Sequence, residues 1–377
     1  VVEKVKNMSF MFWGCSSLTN LDVSHFNTSK VTDMDNMFNW CSALTNLDVS
    51  NFNTSNVTNM RALFGSCETL KKIDVSKFNT QNVTNMWAMF AGCHALEEVD
   101  VSNFNTSNVV YMNTMFASCK ALTNLDLSIF DTGNVTNMGG MFQDCIALKS
   151  IDVSNFNTSN TTILTSMFCD CYALTSIDVS NFNTSNVKSM ELMFSDCKAL
   201  TRLDLSNFNT SNVERMTAMF LNCSALTTIY VGEDWSTSNL KNSTDMFFNC
   251  KNLVGEKGTV YDAAHIDYTY AHVDGGESNP GYFTFKSSRD VTIDDTNFPN
   301  IGIRHWLLSQ DFGSDGVISN EEIAILTSMD LSGLGINDLT GIEYFTSLTE
   351  LNISNNQIKG EAMDNLIASL PTASSQR

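Results

Sequence analysis

Apolar and polar positions recur along the first 250 residues in one repeating order. A representative unit runs from Leu44 to Cys67 and reads LTNLDVSNFNTSNVTNMRALFGSC. Within it, Leu47, Asp48 and Val49 alternate between apolar and polar, which predicts a short strand. Residues 53–56 (Asn-Thr-Ser-Asn) favour turns and helix N-caps, so we interpret the glycosylation-type triplet beginning at Asn53 as turn chemistry. The next apolar residues fall at helical spacing and predict a short helix or helical turn: Val57, Met60, Leu63, Phe64 and Cys67.

The spacing of the cysteines gives the period of this pattern. Each cysteine in the series 15, 41, 67, 93, 119, 145, 171, 197 and 223 follows the previous one by 26 residues, and Cys250 follows after 27. A strand–turn–helix unit cannot bury its apolar face alone, so such units must stack. We therefore predict an α/β repeat solenoid, with a parallel sheet on its concave face and short helices on its convex face. Stacking would also place two phenylalanine columns in aromatic spines, one made of Phe38 and its equivalents and the other of Phe52 and its equivalents.

The ten regularly spaced cysteines lie in an apolar column, and only Cys169 falls outside the series. Cysteines at such positions behave as small hydrophobic residues, which predicts buried free thiols. Pairing between neighbouring cysteines and metal binding are the alternatives. No histidine column accompanies the cysteines, which disfavours zinc.

An aspartate column follows the same period. Alternation along the strand places it on the outer, concave face of the sheet, beside a column of serines. Like charges about 4.8 Å apart repel by roughly 1 kcal/mol per pair in water. Two interpretations are open: each aspartate forms local hydrogen bonds that fix the repeat, or the column is an acidic strip that binds a basic partner or cations. The strip comprises Asp22, Asp48, Asp74, Asp100, Asp126, Asp152, Asp178 and Asp204.

After Cys250 the repeat ends, which sets the expected domain organisation. Residues 1–253 form the solenoid, and residues 254–286 form its C-terminal cap, because the open apolar end of a solenoid must be covered. Short strands are predicted near Tyr268–His272 and Tyr282–Phe285. The cap is rich in tyrosine, which could alternatively provide a sugar-binding platform made of Tyr261, Tyr268, Tyr270 and Tyr282.

A second module is expected from residue 287 onward, with a helical segment at 287–325. Its sequence DFGSDGVISNEE, at 311–322, is similar to an EF-hand or dockerin-type calcium loop. The position that would carry the second carboxylate is Gly313, so calcium binding and a vestigial turn both remain open. The predicted ligands of this calcium site are Asp311, Asp315, Val317, Ser319 and Glu322.

The remainder, residues 326–377, repeats at 22 residues, with Met329 aligning to Leu351 and Asn356 at the asparagine position of ordinary leucine-rich repeats. Residues 361–370 (EAMDNLIASL) predict an amphipathic helix that breaks the repeat. We expect this short leucine-rich segment to be truncated at its end.

Residues 15–38, CSSLTNLDVSHFNTSKVTDMDNMF, resemble the leucine-rich repeat class and, more closely, the BspA-like bacterial surface proteins. The DGGESNPGYFT segment at 274–284 and the calcium-like loop followed by leucine-rich repeats are similar to the same family. The resemblance covers residues 1 to about 250. It implies an extracellular interaction protein, on a bacterial cell surface or secreted.

Charge and the positions of the histidines argue against several classes of function. The chain has 41 acidic and 21 basic residues and a net charge of -20, which argues against nucleic-acid binding and adsorption to anionic membranes. None of its five histidines falls in a catalytic or zinc motif, so we predict a non-enzymatic protein that requires no cofactor. The primary expectation is adhesion through a host or bacterial protein partner. A carbohydrate-binding surface component and a rigid spacer that displays another domain are the alternatives.

Overall fold

Every 26 residues the chain returns to the same place in a parallel ladder. In the computed structural model, which describes residues 4–286 and 290–358, one series of parallel bridges starts at Asn7↔Asp33 and continues to Arg215↔Asn242. A second series passes through the aspartate segments. Its strands are β1 (Lys72–Ile73), β2 (Glu98–Val99), β3 (Arg202–Leu205), β4 (Thr228–Val231) and β5 (Phe283–Phe285). The register pairs Asp204 with Tyr230 and Leu205 with Val231, so equivalent residues of neighbouring turns lie side by side.

The predicted parallel solenoid is therefore confirmed, but its predicted helices are not. Within residues 4–253 the structure contains no α-helix, and the segment from Met60 to Cys67 is a series of turns. Ala62 and Ser66 have φ angles of 46° and 53°, whereas an α-helix needs about −63°. The N–H groups of Met60 and Phe64 accordingly donate to the carbonyls of Asn85 and Met89 in the next turn, at 3.0 and 2.9 Å.

The core of the solenoid is built around the predicted phenylalanine spine. Phe116 is fully buried, and its ring stacks on Phe90 and Phe142 with centroid separations of 5.6 and 6.2 Å. The second phenylalanine column is buried from Phe52 to Phe208, and its rings pack beside the spine: the Phe52 ring centre lies 6.4 Å from that of Phe38. Each turn thus contributes two rings to one continuous apolar core.

The cap closes the C-terminal end of this core with aromatic side chains. Phe247, the last member of the spine, meets Tyr282 and Phe283 edge to face at 5.1 and 5.7 Å. Strand β5 pairs with β4 in parallel and so extends the sheet by one strand. The expected strand near Tyr268–His272 is wrong: Tyr268–Tyr270 is a 3₁₀ helix, because the Asp267 carboxylate accepts a hydrogen bond from the Thr269 N–H and caps the turn. A second 3₁₀ helix spans Gly276–Ser278.

Asp274 organises the cap from within. It is 1% exposed, and its Oδ2 accepts hydrogen bonds from the N–H groups of Lys257 and Thr259 at 2.8 and 3.0 Å. Its Oδ1 accepts from the Thr259 hydroxyl at 2.7 Å and from the Gly276 N–H at 2.9 Å. Burial acts to raise the pKa of Asp274, but these donors outweigh it and hold the pKa well below its usual range. Gly255 leaves room for this carboxylate, since a Cβ there would lie 2.7 Å from the Asp274 side chain.

Contacts divide the chain into two compact units, Val1–Phe285 and Lys286–Arg377. Within residues 290–358, the second unit contains two α-helices, α1 and α2, and two strand pairs. Its elements are β6 (Val291–Thr292), α1 (Ile301–Leu308), a 3₁₀ helix (Asp311–Gly313), β7 (Val317–Ile318), α2 (Asn320–Ile325), β8 (Ser328–Asp330), a 3₁₀ helix (Ile342–Tyr344) and β9 (Glu350–Asn352).

The leucine-rich register in the second unit is as expected. Strands β8 and β9 are parallel and pair Met329 with Leu351. Asn356 is half-buried, donates to the Leu331 carbonyl at 2.7 Å and accepts from the Ile336 N–H at 3.0 Å. The helix expected at 361–370 lies outside the described residues.

Candidate interaction surfaces

The acidic strip, the eight aspartates defined above, is placed in the extended segments of successive turns. Seven of the eight side chains are exposed and Asp204 is half-buried. Each carboxylate also accepts a local hydrogen bond: Asp48 Oδ1 accepts from the Ser50 N–H at 2.9 Å. The same bond joins every other pair, namely Asp22–Ser24, Asp74–Ser76, Asp100–Ser102, Asp126–Ser128, Asp152–Ser154, Asp178–Ser180 and Asp204–Ser206. The neighbouring serine column therefore supplies the donors that these carboxylates use.

The hydrogen bonds outweigh the repulsion along the strip. Hydrogen bonds from the Ser50 hydroxyl and N–H hold the pKa of Asp48 below its usual value, although the charges of Asp74 and Asp22 act in the opposite direction. The pKa is lowered by the same serine donors at other turns: Asp22, Asp74, Asp100, Asp126 and Asp152. These six carboxylates are thus ionised at neutral pH.

These lowered pKa values predict acid sensitivity of the first unit. A carboxyl with a lower pKa in the folded state stabilises that state above its unfolded pKa of about 3.9. This contribution is lost as pH falls through the folded pKa. We expect the thermal midpoint of the chain to be steady from pH 7 to 5 and to fall progressively below about pH 4. A midpoint that rises on acidification would mean that repulsion along the strip dominates.

Beside the strip lies a polar ladder that the sequence analysis did not identify. The hydroxyl of Thr54 is buried, donates to the Asn79 carbonyl at 3.0 Å and accepts from the Asn79 N–H at 2.7 Å. Thr80 and Thr132 repeat the donor bond to the following turn. Each threonine thus joins its turn to the next. The signal in the sequence was the unbroken recurrence of threonine at a position otherwise typical of a turn.

The asparagines around the turn also have structural partners. Asn53 Oδ1 accepts from the Ser55 N–H at 3.1 Å, and Asn56 Nδ2 donates to the Ser29 carbonyl of the preceding turn at 2.8 Å. These contacts support the interpretation of the glycosylation-type triplets as turn chemistry.

The cysteine column is a ladder of free thiols. All eleven cysteines are free, and every one except Cys15 is buried. Cys93 Sγ donates to the Phe64 carbonyl at 3.1 Å, and Cys119 Sγ donates to the Phe90 carbonyl at 3.3 Å. Burial raises the pKa of Cys93 to about 12, so this thiol stays protonated. Among residues 4–286 and 290–358, no group of three or more His, Cys, Asp or Glu side chains is placed to hold a metal ion.

The four cap tyrosines do not present a common platform. Tyr282 is fully buried, and its hydroxyl accepts from the Asp262 N–H at 2.9 Å. Tyr270 stacks on His265 at 4.3 Å, and the Tyr261 hydroxyl accepts from the Asn249 N–H. Only Tyr268, 49% exposed, has a largely free ring. The rings therefore support the cap more directly than a shared sugar site.

The calcium-like loop has a defined conformation in which the carboxylates of Asp315 and Glu322 bond to the loop itself. Glu322 Oε2 accepts from the N–H and the hydroxyl of Ser319, both at 2.8 Å, which forms a capping box at the start of α2. Asp315 Oδ1 accepts from the Val317 N–H at 3.0 Å. Asp311 begins the 3₁₀ helix. The structure does not bring Asp311, Asp315 and Glu322 together as a ligand group, and calcium binding stays a prediction of the sequence pattern.

No described helix reaches the length and apolarity that a membrane span requires.

A search of curated proteins returned no relative of the chain. Solved structures with similarity include a leucine-rich cell surface protein from Faecalibacterium prausnitzii A2-165, 18% identical, covering 65% of this chain and 74% of that one, with a TM-score of 0.33. A leucine-rich-repeat protein from Bacteroides ovatus ATCC 8483 is 15% identical. The match covers 92% of this chain and 87% of that one, with a TM-score of 0.35. An internalin from Listeria monocytogenes is 12% identical. The match covers 96% of this chain and 88% of that one, with a TM-score of 0.24.

The repeats themselves match one family model, described as "Mycoplasma protein of unknown function, DUF285". The matches cover residues 1–95, 64–176 and 147–258, which together span most of the chain. They coincide with the turns that carry the acidic strip, the threonine ladder and the cysteine ladder. The chain therefore belongs to this family.

Proposed function

We propose that the protein is a non-enzymatic scaffold, on a bacterial cell surface or secreted, that binds a protein partner through the acidic strip. The observation that carries the proposal is the exposure of the strip. Core packing and the backbone ladders require the phenylalanine, threonine and cysteine columns, but seven of the eight strip carboxylates remain exposed. Each accepts its local hydrogen bonds from one serine, as Asp48 Oδ1 does from the Ser50 N–H at 2.9 Å, and a carboxylate with two oxygens has acceptor capacity beyond these bonds.

The negative charge of the strip favours a partner with a basic surface. Carboxylates that recur about every 4.8 Å create a negative potential along the sheet face, which attracts a basic protein surface and raises its association rate. The net charge of -20 extends this attraction over the molecule. Binding of this kind weakens as salt is raised, because exposed charges are screened.

Substituting asparagine for the four central aspartates, Asp74, Asp100, Asp126 and Asp152, tests the proposal. Asparagine keeps an Oδ1 that accepts the serine N–H but removes the charge. We expect the wild-type protein to bind at least one member of a panel of purified extracellular-matrix proteins in a salt-sensitive manner. The asparagine variant should bind at least tenfold more weakly, with a thermal midpoint within about 2 °C of wild type.

A matched alanine variant at the same four positions separates charge from hydrogen bonding. It removes the Oδ1 acceptors as well as the charges and should lower the thermal midpoint further than the asparagine variant. If the asparagine variant binds its partner as wild type does while its midpoint falls, the strip is a structural device and the proposed function is wrong.

A further inference from the structure

One of the two backbone ladders of the solenoid ends without a covering strand. The ladder that passes through the aspartate segments is extended at its C-terminal end by β5, which pairs with β4. The other ladder, which starts at Asn7↔Asp33, ends at Asn242, and no described residue forms a bridge on its outer side. Residues 241–245, here called the open rung, are the last segment of this ladder. An edge of this kind can pair with another extended chain.

The preceding turn shows which groups of the open rung lack a partner. In that turn, the N–H groups of Met216 and Ala218 donate to carbonyls of the open rung, both at 2.9 Å, and the Glu214 carbonyl accepts from its first N–H at 2.7 Å. The equivalent groups one turn later are the Lys241 carbonyl and the N–H groups of Ser243 and Asp245. Within residues 4–286 and 290–358, none of these three groups forms a hydrogen bond. The open rung therefore offers two donors and one acceptor to a chain that continues the ladder.

A cleft of about 370 Å³ lies beside these groups. It is lined by residues 240–245 of the last solenoid turn and by residues 266–268 of the cap. The cap covers the same turn only further along, where the Phe247 N–H donates to the Ile266 carbonyl at 2.9 Å. The Tyr268 N–H donates to the Ser243 hydroxyl at 3.2 Å, which holds the cap segment beside the open rung. The unpaired groups and the cleft thus belong to one site, whose volume is in the range of ligand-binding pockets.

The side chains of the cleft favour a positively charged ligand. Asp245 and Asp267 both line it, and hydrogen bonds from Thr269 hold the pKa of Asp267 below its usual value, so this group is ionised at neutral pH. The Asp245 carboxylate has no hydrogen bond or ion pair with a described residue. Lys241 is the only cation among the lining residues, and its ammonium lies 2.6 Å from a glutamate carboxylate of the preceding turn. The Tyr268 ring, 49% exposed, adds an aromatic face that can contact a cation.

We propose that this site binds an extended, basic segment of a protein, which adds one strand to the ladder. The main chain of the segment accepts hydrogen bonds from Ser243 and Asp245 and donates one to Lys241, the pattern that already joins neighbouring turns. A lysine or arginine of the segment reaches the Asp245 and Asp267 carboxylates, with its stem against the Tyr268 ring. An anion could use the same two N–H groups, but the carboxylates would repel it. The main chain supplies affinity and the carboxylates supply the preference for basic side chains. None of these residues belongs to the acidic strip, so the site goes beyond the proposed function.

Amide hydrogen exchange in the full chain tests the main-chain pairing. In the free protein, the Ser243 and Asp245 amides should exchange at least tenfold faster than the Phe247 amide, which is hydrogen-bonded in the same turn. Addition of a capped hexapeptide of alternating arginine and valine should slow both amides by at least tenfold. Methylation of the peptide nitrogens in one of the two alternating sets should abolish binding, because that set faces the Lys241 carbonyl. Methylation of the other set should have little effect.

The double variant Asp245→Asn/Asp267→Asn tests the charge requirement. Asparagine occupies the position of Asp245 in an earlier turn, at Asn36 with a φ angle of 56°, and at position 267 it keeps an oxygen that can cap the 3₁₀ helix. The variant should bind the peptide at least tenfold more weakly in calorimetry, with a thermal midpoint within about 2 °C of wild type. The matched control is Asp262→Asn, which removes an exposed acid of the cap that does not line the cleft. It should bind as wild type does, and so should the four-asparagine variant of the acidic strip.

Several outcomes would overturn the proposal. The first is that no peptide binds, or that the Ser243 and Asp245 amides are as protected in the free protein as the Phe247 amide. The second is that neither set of N-methyl groups weakens binding, or that a peptide of alternating glutamate and valine binds equally well. The third is that the double variant retains full affinity. Loss of peptide binding in the four-asparagine variant alone would place the peptide on the acidic strip, which would contradict this site and leave the proposed function standing.

Discussion

Replacing Asp274 with alanine is expected to destabilise the first unit by about 3 kcal/mol. The change removes the acceptor of the Lys257, Thr259 and Gly276 N–H groups and of the Thr259 hydroxyl. These donors lie around a carboxylate that is only 1% exposed, and donors left without partners in such a place lose their solvation. The cap should loosen first, which would uncover Phe247 at the end of the phenylalanine spine. Chemical denaturation measures the loss of stability, and hydrogen exchange around residues 247–253 measures the opening.

Asp262→Asn is the matched control for Asp274→Ala, because it changes an exposed acid of the same cap. It should alter the free energy of unfolding by less than about 0.5 kcal/mol. The low pKa of Asp274 adds a second signature. Its stabilising contribution is present above the unfolded pKa of about 3.9 and declines as pH falls toward the folded value. The alanine variant should therefore lose less stability than wild type between pH 5 and acid conditions. Equal stability of the variant and wild type at pH 7 would contradict this account of the cap.

Truncating Phe116 to alanine is expected to cost about 3–5 kcal/mol, the range for a fully buried phenylalanine. The ring is stacked between Phe90 and Phe142 at 5.6 and 6.2 Å, so its loss leaves a cavity in the middle of the spine. In a repeat protein each turn interacts mainly with its neighbours, so the defect should weaken the coupling between the two halves of the solenoid. We expect a broadened or two-step denaturation curve and faster hydrogen exchange in the adjacent turns.

Phe116→Leu separates cavity formation from the loss of stacking. Leucine fills most of the volume, and such apolar exchanges usually cost less than about 1.5 kcal/mol. A cost for leucine close to that for alanine would show that the ring contacts, more than the cavity, stabilise the spine. A single sharp transition for Phe116→Ala, shifted uniformly, would show that the solenoid unfolds as one unit despite the defect.

Recurrence along the chain was sufficient to predict the solenoid, the phenylalanine spine, the buried thiols and the pairing of Met329 with Leu351. These features follow from one physical requirement, that identical apolar faces stack in register. The convex side could not be predicted in the same way. Met60, Leu63, Phe64 and Cys67 have helical spacing, but successive turns with left-handed residues bring the same side chains inward. The propensity of Ser66 and its glycine, asparagine and aspartate equivalents for positive φ was the missed signal.

The surfaces were less predictable than the core. The aspartates of the acidic strip lie in the extended segments, but their bonds to the serine two residues later depend on the local backbone geometry. Buried threonine and exposed aspartate are both polar residues that recur every 26 positions, and periodicity alone does not distinguish them. Trp40 stands out in the sequence as a bulky residue in a column of glycine, serine, aspartate and asparagine, and the structure adds that this column has positive φ and that the ring is exposed. In the cap, a polar residue at Asp267 converted an expected strand into a 3₁₀ helix.

The threonine ladder has a consequence for how such a chain changes over generations. The Thr54 hydroxyl bonds to the following turn, through Asn79, and the Cys93 thiol bonds to the preceding one, through Phe64. Every inserted or deleted copy of the whole repeat would therefore find the same partners on both sides. Near-identical tandem copies are also prone to unequal recombination at the level of the gene. The length of the solenoid can thus change by whole turns between related proteins, while each remaining turn keeps the same hydrogen bonds.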